Sequence, residues 1–144
     1  MKISGVYSRI FLHFVWSTKN RLPAITNQIE NDVKMVFHAK AREMSLEIIA
    51  SEAAGDHVHV LLRVHQTVSP ADIAKHLKGS SSHYVNHISL PTDFDRFYWQ
   101  DGYGVVSVSP DAVESVARYV RNQKAHHQRG DLIDDLEISS NDVP

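Results

Sequence analysis

Two pairs of residues stand at spacings that can bring reactive groups together. His57 and His59 are two apart in a run, 57–64, that is rich in Val and Leu. On a strand, side chains alternate faces, so both imidazoles project the same way, their Cα atoms roughly 7 Å apart. Neutral imidazole ligates divalent metals, and a pair at this spacing can share one ion. The same spacing also fits a half-exposed strand that merely carries two polar histidines. Tyr119 and Gln123 are four apart in a helical pattern, which stacks them on one face with Cβ atoms about 6 Å apart. They flank the stripe Val113, Val116, Val120, a margin that equally suits an amphipathic packing tyrosine with a wet hydroxyl. His126 and His127 follow one turn later, where histidines also suit a helix C-terminus.

The elements that must position these groups follow from periodicity and punctuation. Residues 7–17 are aromatic and β-branched and predict a strand. From Thr26 to about Met44, Ile29, Val33, Val36, Phe37 and Ala41 recur at helical spacing, with Thr26 or Asn27 as N-cap. Residues 46–54 predict a second strand, and Gly55-Asp56 turns the chain into the third, 57–64, whose Val58, Val60, Leu62 and Val64 face away from the histidines. Ser69-Pro70 opens a helix carrying Ile73, Ala74 and Leu77. Residues 89–96 predict a loop, Val105–Val108 a fourth strand, and Ser109-Pro110-Asp111 the start of a last helix. The order β-α-β-β-α-β is the α+β, ferredoxin-like arrangement: an antiparallel sheet with two helices on one face, followed here by a C-terminal helix. Many functions share that scaffold, so the fold alone selects none.

Bulk composition bounds the rest. The chain has 144 residues, enough for one domain with a proper core. It has no cysteine, which excludes disulfides and thiolate metal sites. With no apolar run of spanning length and no leader pattern, no membrane role and a cytoplasmic location are expected. The net charge of −2 is unevenly placed, since residues 131–144 hold Asp131, Asp134, Asp135, Glu137 and Asp142 and no Lys or Arg. Residues 1–130 therefore carry 15 basic against 12 acidic side chains, about +3, which permits nucleic-acid binding without indicating it. The expected division is a domain over 1–130 and an acidic, loosely ordered tail over 131–144.

Five segments in the right order carry a more specific signal. They are His-Phe-Val-Trp-Ser-Thr-Lys-Asn-Arg at 13–21, Gly-Asp-His-Val-His-Val-Leu-Leu at 55–62 and Leu-Lys-Gly-Ser-Ser at 77–81. The others are Trp-Gln-Asp-Gly-Tyr-Gly-Val-Val-Ser-Val-Ser at 99–109 and Tyr-Val-Arg-Asn-Gln-Lys-Ala-His-His at 119–127. Over about residues 7–127 the chain resembles the IS200/IS605-type tyrosine transposases of the HUH (His-hydrophobic-His) endonuclease superfamily. The tail after Gly130 departs from the longer basic or mixed ending of such proteins.

The resemblance implies that His57, His59 and Gln123 hold a divalent ion, Mg²⁺ or Mn²⁺, and that Tyr119 is the nucleophile forming a 5′-phosphotyrosine. It implies a single-stranded DNA substrate with a hairpin, and a homodimer in which the helix of Tyr119 serves its own or the partner's site. Lys19, Arg21, Lys75 and Lys78 are candidate phosphate contacts. Trp99 or Tyr103 could stack on a base, although Trp99 equally suits the core and lone lysines are usually solvated. Three rivals stand beside this reading. A purely binding nucleic-acid module shares the element order but stacks bases on central-strand aromatics, where this chain has His57, Val58 and His59. A metal-hydroxide nuclease would form no covalent adduct. A domesticated relative would use the same chemistry without mobility.

Overall fold

A strand with one apolar and one histidine-bearing face needs cover on both sides, and the chain supplies a different layer for each. The computed structural model describes residues 2–3, 5–89 and 96–123. They form β1 (Ile10–Ser17), α1 (Asn27–Glu43), β2 (Glu47–Ala53), β3 (His57–Val64), α2 (Pro70–Tyr84), β4 (Gly104–Val108) and α3 (Val113–Arg121). A short ribbon, Lys2–Ile3 against Val6–Tyr7, precedes them. The four long strands make one sheet in the order β2-β3-β1-β4 with every neighbouring pair antiparallel. This is the expected ferredoxin-like arrangement. The tail 131–144, His126 and His127 lie outside the described residues.

Local chemistry explains where the two long helices start. The Thr26 hydroxyl accepts from the Ile29 N–H at 3.2 Å and Ser69 Oγ accepts from the Asp72 N–H at 3.1 Å, each satisfying a helix-terminal donor. Pro70 then occupies the first position of α2, where no N–H is needed. The end of α1 is less ordinary. The Leu46 N–H donates to the Ala41 carbonyl at 2.8 Å and the Ser45 N–H to Arg42 at 3.2 Å, a Schellman closure with Ser45 at φ +58° where glycine is the usual residue. Ser45→Gly is expected to raise stability by up to about 1 kcal/mol, because relief of the Cβ–carbonyl clash outweighs the looser unfolded chain. A urea midpoint at or below the parent's would refute this.

Alternation along the strands divides the interior in two. Phe14, Trp16, Val58, Val60 and Leu62 point toward α1 and α2, where they meet Ile29, Val33, Phe37, Ile73, Ala74 and Leu77. Each large side chain so buried contributes about 1.5–3 kcal/mol. Ser81, inside α2, is tolerated there because its hydroxyl bonds the Leu77 carbonyl and accepts from Trp99 Nε1 at 2.9 Å. On the other face Phe11, Ala50, Leu61 and Val108 pack beneath Ala117 and Val120 of α3. At nine residues α3 is too short to persist alone. Its burial on the sheet therefore holds it, and with it Tyr119, over the histidines of β3.

Candidate active site

The histidine pair lies where the sequence puts it, on one face of β3, but both rings are enclosed. His57 is 4% exposed and His59 0%, because α3 covers the face that periodicity alone leaves half open. Their ring centroids are 5.2 Å apart. His57 Nδ1 is 2.7 Å from Asp56 Oδ1. An ionised carboxylate only accepts, so a neutral His57 donates from Nδ1 and carries its lone pair on Nε2.

Asp56 is itself held by the chain around it. Gly55, at φ +74°, makes the turn into β3. The Thr18 N–H donates to the Asp56 carbonyl at 2.8 Å, and the Arg21 guanidinium lies 3.8 Å from the Asp56 carboxylate. The short turn Lys19–Arg21 thus abuts the turn that delivers His57. Asn20 and Arg21 both have positive φ, +58° and +52°. Two successive non-glycine residues in that region are costly and mark a turn held by its surroundings.

Three buried polar residues missed at the level of sequence border the pair. His13, 1% exposed, is on β1 with its Nε2 2.9 Å from His59 Nδ1 and its ring nearly parallel to that of His59. Ser17 pairs with His57 across the β1–β3 ladder. Gln100 Oε1 accepts from both the Ser17 N–H at 2.6 Å and its hydroxyl at 2.7 Å. The signal for His13 was present in the alternation of β1, which sets it on the face opposite Phe14 and Trp16. The β1–β3 register that brings it to His59 was not.

Tyr119 closes the site from above. Its ring meets that of His59 edge-on, centroids 6.2 Å apart, and it is 5% exposed, so the expectation of a marginal residue gives way to a buried one. The contact forms within one chain. Gln123 is fully buried one residue beyond the α3 C-cap, Asn122, so the helix closes earlier than the four-residue stacking assumes. Among the described residues no group of three His, Asp or Glu is arranged to hold an ion. An ion at the pair therefore calls for another donor type, such as the Gln123 carboxamide.

The suggested DNA contacts scatter. Lys19 is exposed, its ammonium over the Tyr98 ring, and Arg21 lies beside Asp56. Lys75 and Lys78 belong to α2, on the far face of the sheet from the histidines. Lys75 is exposed, whereas Lys78 Nζ donates to the carbonyls of Asp101 and Gly102 at 3.0 Å each. Burial lowers the Lys78 pKa, with Asp101 opposing. Trp99 is buried against Trp16 and Phe97, and Tyr103 is half-buried against Phe14. Tyr98, which sequence reasoning passed over, is 55% exposed. No helix among the described residues is long and apolar enough to cross a membrane.

Comparison with known proteins identifies the family and the fold of the chain. The family described as "Transposase IS200 like" matches residues 6–123. The ISDra2 transposase TnpA of Deinococcus radiodurans is 24% identical over 123 residues, covering 83% of this chain and 87% of that protein. The transposase for insertion sequence element IS200 of Salmonella typhimurium is 25% identical over 124 residues, covering 84% and 81%. A crystal structure of a candidate transposase from Deinococcus radiodurans R1 superposes with a TM-score of 0.66 at 26% identity, covering 85% of this chain and 97% of that one. A REP-associated tyrosine transposase bound to a REP hairpin shares the fold, with a TM-score of 0.63 at 14% identity over 88% and 74% of the two chains. The family match spans every strand of the sheet, the histidine pair, Tyr119 and Gln123, and the chain belongs to the IS200-like transposase family.

Proposed function

We propose that this transposase cuts and rejoins single-stranded transposon ends through a covalent tyrosine intermediate, with Tyr119 as nucleophile and His57, His59 and Gln123 as ligands of Mg²⁺ or Mn²⁺. The observation that carries the reading is the edge-on contact of Tyr119 with His59, beside His57. An attacking phenol and ion-binding imidazoles must serve the same phosphate, and here they are neighbours. Two imidazoles and a carboxamide suit a divalent ion. The Asp56–His57 hydrogen bond is the outer-shell partner that ligating histidines ordinarily have. When bound, the ion neutralises charge that grows on the phosphate oxygens.

The chain's own part is nucleophilic. Tyr119 Oη, having lost its proton, attacks phosphorus; the bond from phosphorus to the 3′-oxygen breaks, and that oxygen leaves with the electron pair and takes up a proton. The 5′-phosphotyrosine keeps the energy of the phosphodiester, so a second 3′-OH can attack it. That step restores the Tyr119 hydroxyl and forms a new phosphodiester.

We assign hairpin-bearing single-stranded DNA as substrate, supported by the structural neighbour bound to a REP hairpin. Lys19 and Arg21 are our phosphate contacts, since their turn adjoins Asp56 and His57. Exposed Lys75 is a more distant one. The internal roles of Lys78 and Trp99 weigh against direct contact, and exposed Tyr98 is a better base platform than Trp99 or Tyr103. We also assign a homodimer on family grounds, expecting a sedimentation mass of two chains.

The test is incubation of labelled single-stranded DNA carrying the flanking hairpin ends with protein and Mg²⁺ or Mn²⁺, followed by a denaturing gel. A metal-dependent, protein-linked band is expected. Nicked product without an adduct would favour a metal-hydroxide nuclease. Binding without cleavage across several ends and both ions would favour a purely binding or domesticated protein.

A further inference from the structure

His13 stands on a different strand from the histidine pair, and neither the nucleophile nor the ligand set uses it. It is nonetheless buried, and its Nε2 lies 2.9 Å from His59 Nδ1 with the ring planes only 16° apart. One proton lies between two such nitrogens, so one ring donates and the other accepts. If His13 donates, neutral His59 carries its own proton on Nε2 and has no lone pair there for an ion. If His59 donates from Nδ1, its Nε2 lone pair is available for coordination, and neutral His13 holds its proton on Nδ1. The outer-shell partner of a ligating histidine fixes the tautomer in this way.

We infer that His13 is a positioning residue that accepts from His59 Nδ1 and so presents His59 Nε2 to the ion, as the Asp56 carboxylate does for His57. The two ligands are thus held by different chemistry. A carboxylate cannot donate and sets the His57 tautomer by itself, whereas the imidazole of His13 sets that of His59 in concert with the bound cation. His13 comes from β1 and Asp56 from the turn before β3, so the two ligands are oriented from separate parts of the fold. This inference rests on the metal-ligand reading proposed above.

The test is Mn²⁺ affinity, read from the electron paramagnetic resonance signal of unbound Mn²⁺ without DNA, in the parent and in His13→Gln, His13→Phe and His13→Leu. Thermal melting and hairpin binding are measured alongside. Phe and Leu fill space but cannot accept a hydrogen bond, and each is expected to weaken Mn²⁺ binding by about 10–100-fold. Hairpin binding should hold. Gln offers Oε1 as an acceptor and is expected to recover most of the loss. Parental Mn²⁺ affinity in a folded Phe or Leu variant would overturn the inference, as would a Gln variant no tighter than they are. If Phe fails to fold, Leu against Gln makes the same comparison. A parent that binds no Mn²⁺, or whose binding survives His57→Ala, would instead overturn the metal-ligand reading itself.

Discussion

Tyr119→Phe is expected to eliminate the protein-linked DNA band and to reduce cleavage by more than about 10³-fold, as loss of an attacking group does. Hairpin binding and melting temperature should stay close to the parent's. Phenylalanine preserves the ring that packs edge-on against His59 and the apolar surface that helps seat α3 on the sheet. Only the hydroxyl is lost. The variant therefore separates a chemical role from a structural one, which an alanine at this 5% exposed position could not do. Hairpin gel shift and the denaturing gel, run on one preparation, check both halves. Retained nicking would sink the nucleophile assignment, and nicking without an adduct in the parent would already have pointed to attack by water.

His57→Ala is expected to lower metal-dependent cleavage by more than about 100-fold, beyond what loss of an outer-shell partner costs. The fold should survive. His57 is at the first position of β3, with the apolar run Val58, Val60, Leu62 and Val64 packed on the opposite face, and its removal leaves that layer intact. Asp56 keeps Arg21 at 3.8 Å and is partly solvated, so its carboxylate is not stranded in the interior. Far-ultraviolet circular dichroism should be unchanged while the rate at saturating Mg²⁺ collapses. An unchanged rate there would count against the metal role. Partial recovery at high Mn²⁺ would fit a site weakened by one ligand.

Much of the scaffold could be read from local pattern. Period-2 alternation in β3 set Val58, Val60 and Leu62 against His57 and His59, and Ser69-Pro70 and Thr26 marked helix starts that their hydrogen bonds bear out. These features depend on neighbours within a few residues, which sequence displays directly. The early close of α3 was less visible, because its stop signal, Asn122 after the basic Arg118 and Arg121, is a weak one that a helix can also run through. Trp99 was ambiguous for a related reason. An aromatic residue in a stretch without clear periodicity suits a base platform or a core, and the Ser81 hydroxyl that receives its indole N–H lies 18 positions away.

The sequence by itself determined the element order, the faces of β3, and through its five ordered segments the family resemblance. Only the tertiary structure decided that the histidine face is closed rather than half open, since that required α3 to fold back over β2 and β3 and bury Ala117, Tyr119 and Val120. It also brought His13 to His59 across 46 positions and Ser17 to Gln100 across 83. The physical reason is that periodicity fixes which face of its own element a side chain occupies, whereas its partner on that face depends on interstrand register and on which layer covers the sheet, both set by the packing of the whole core.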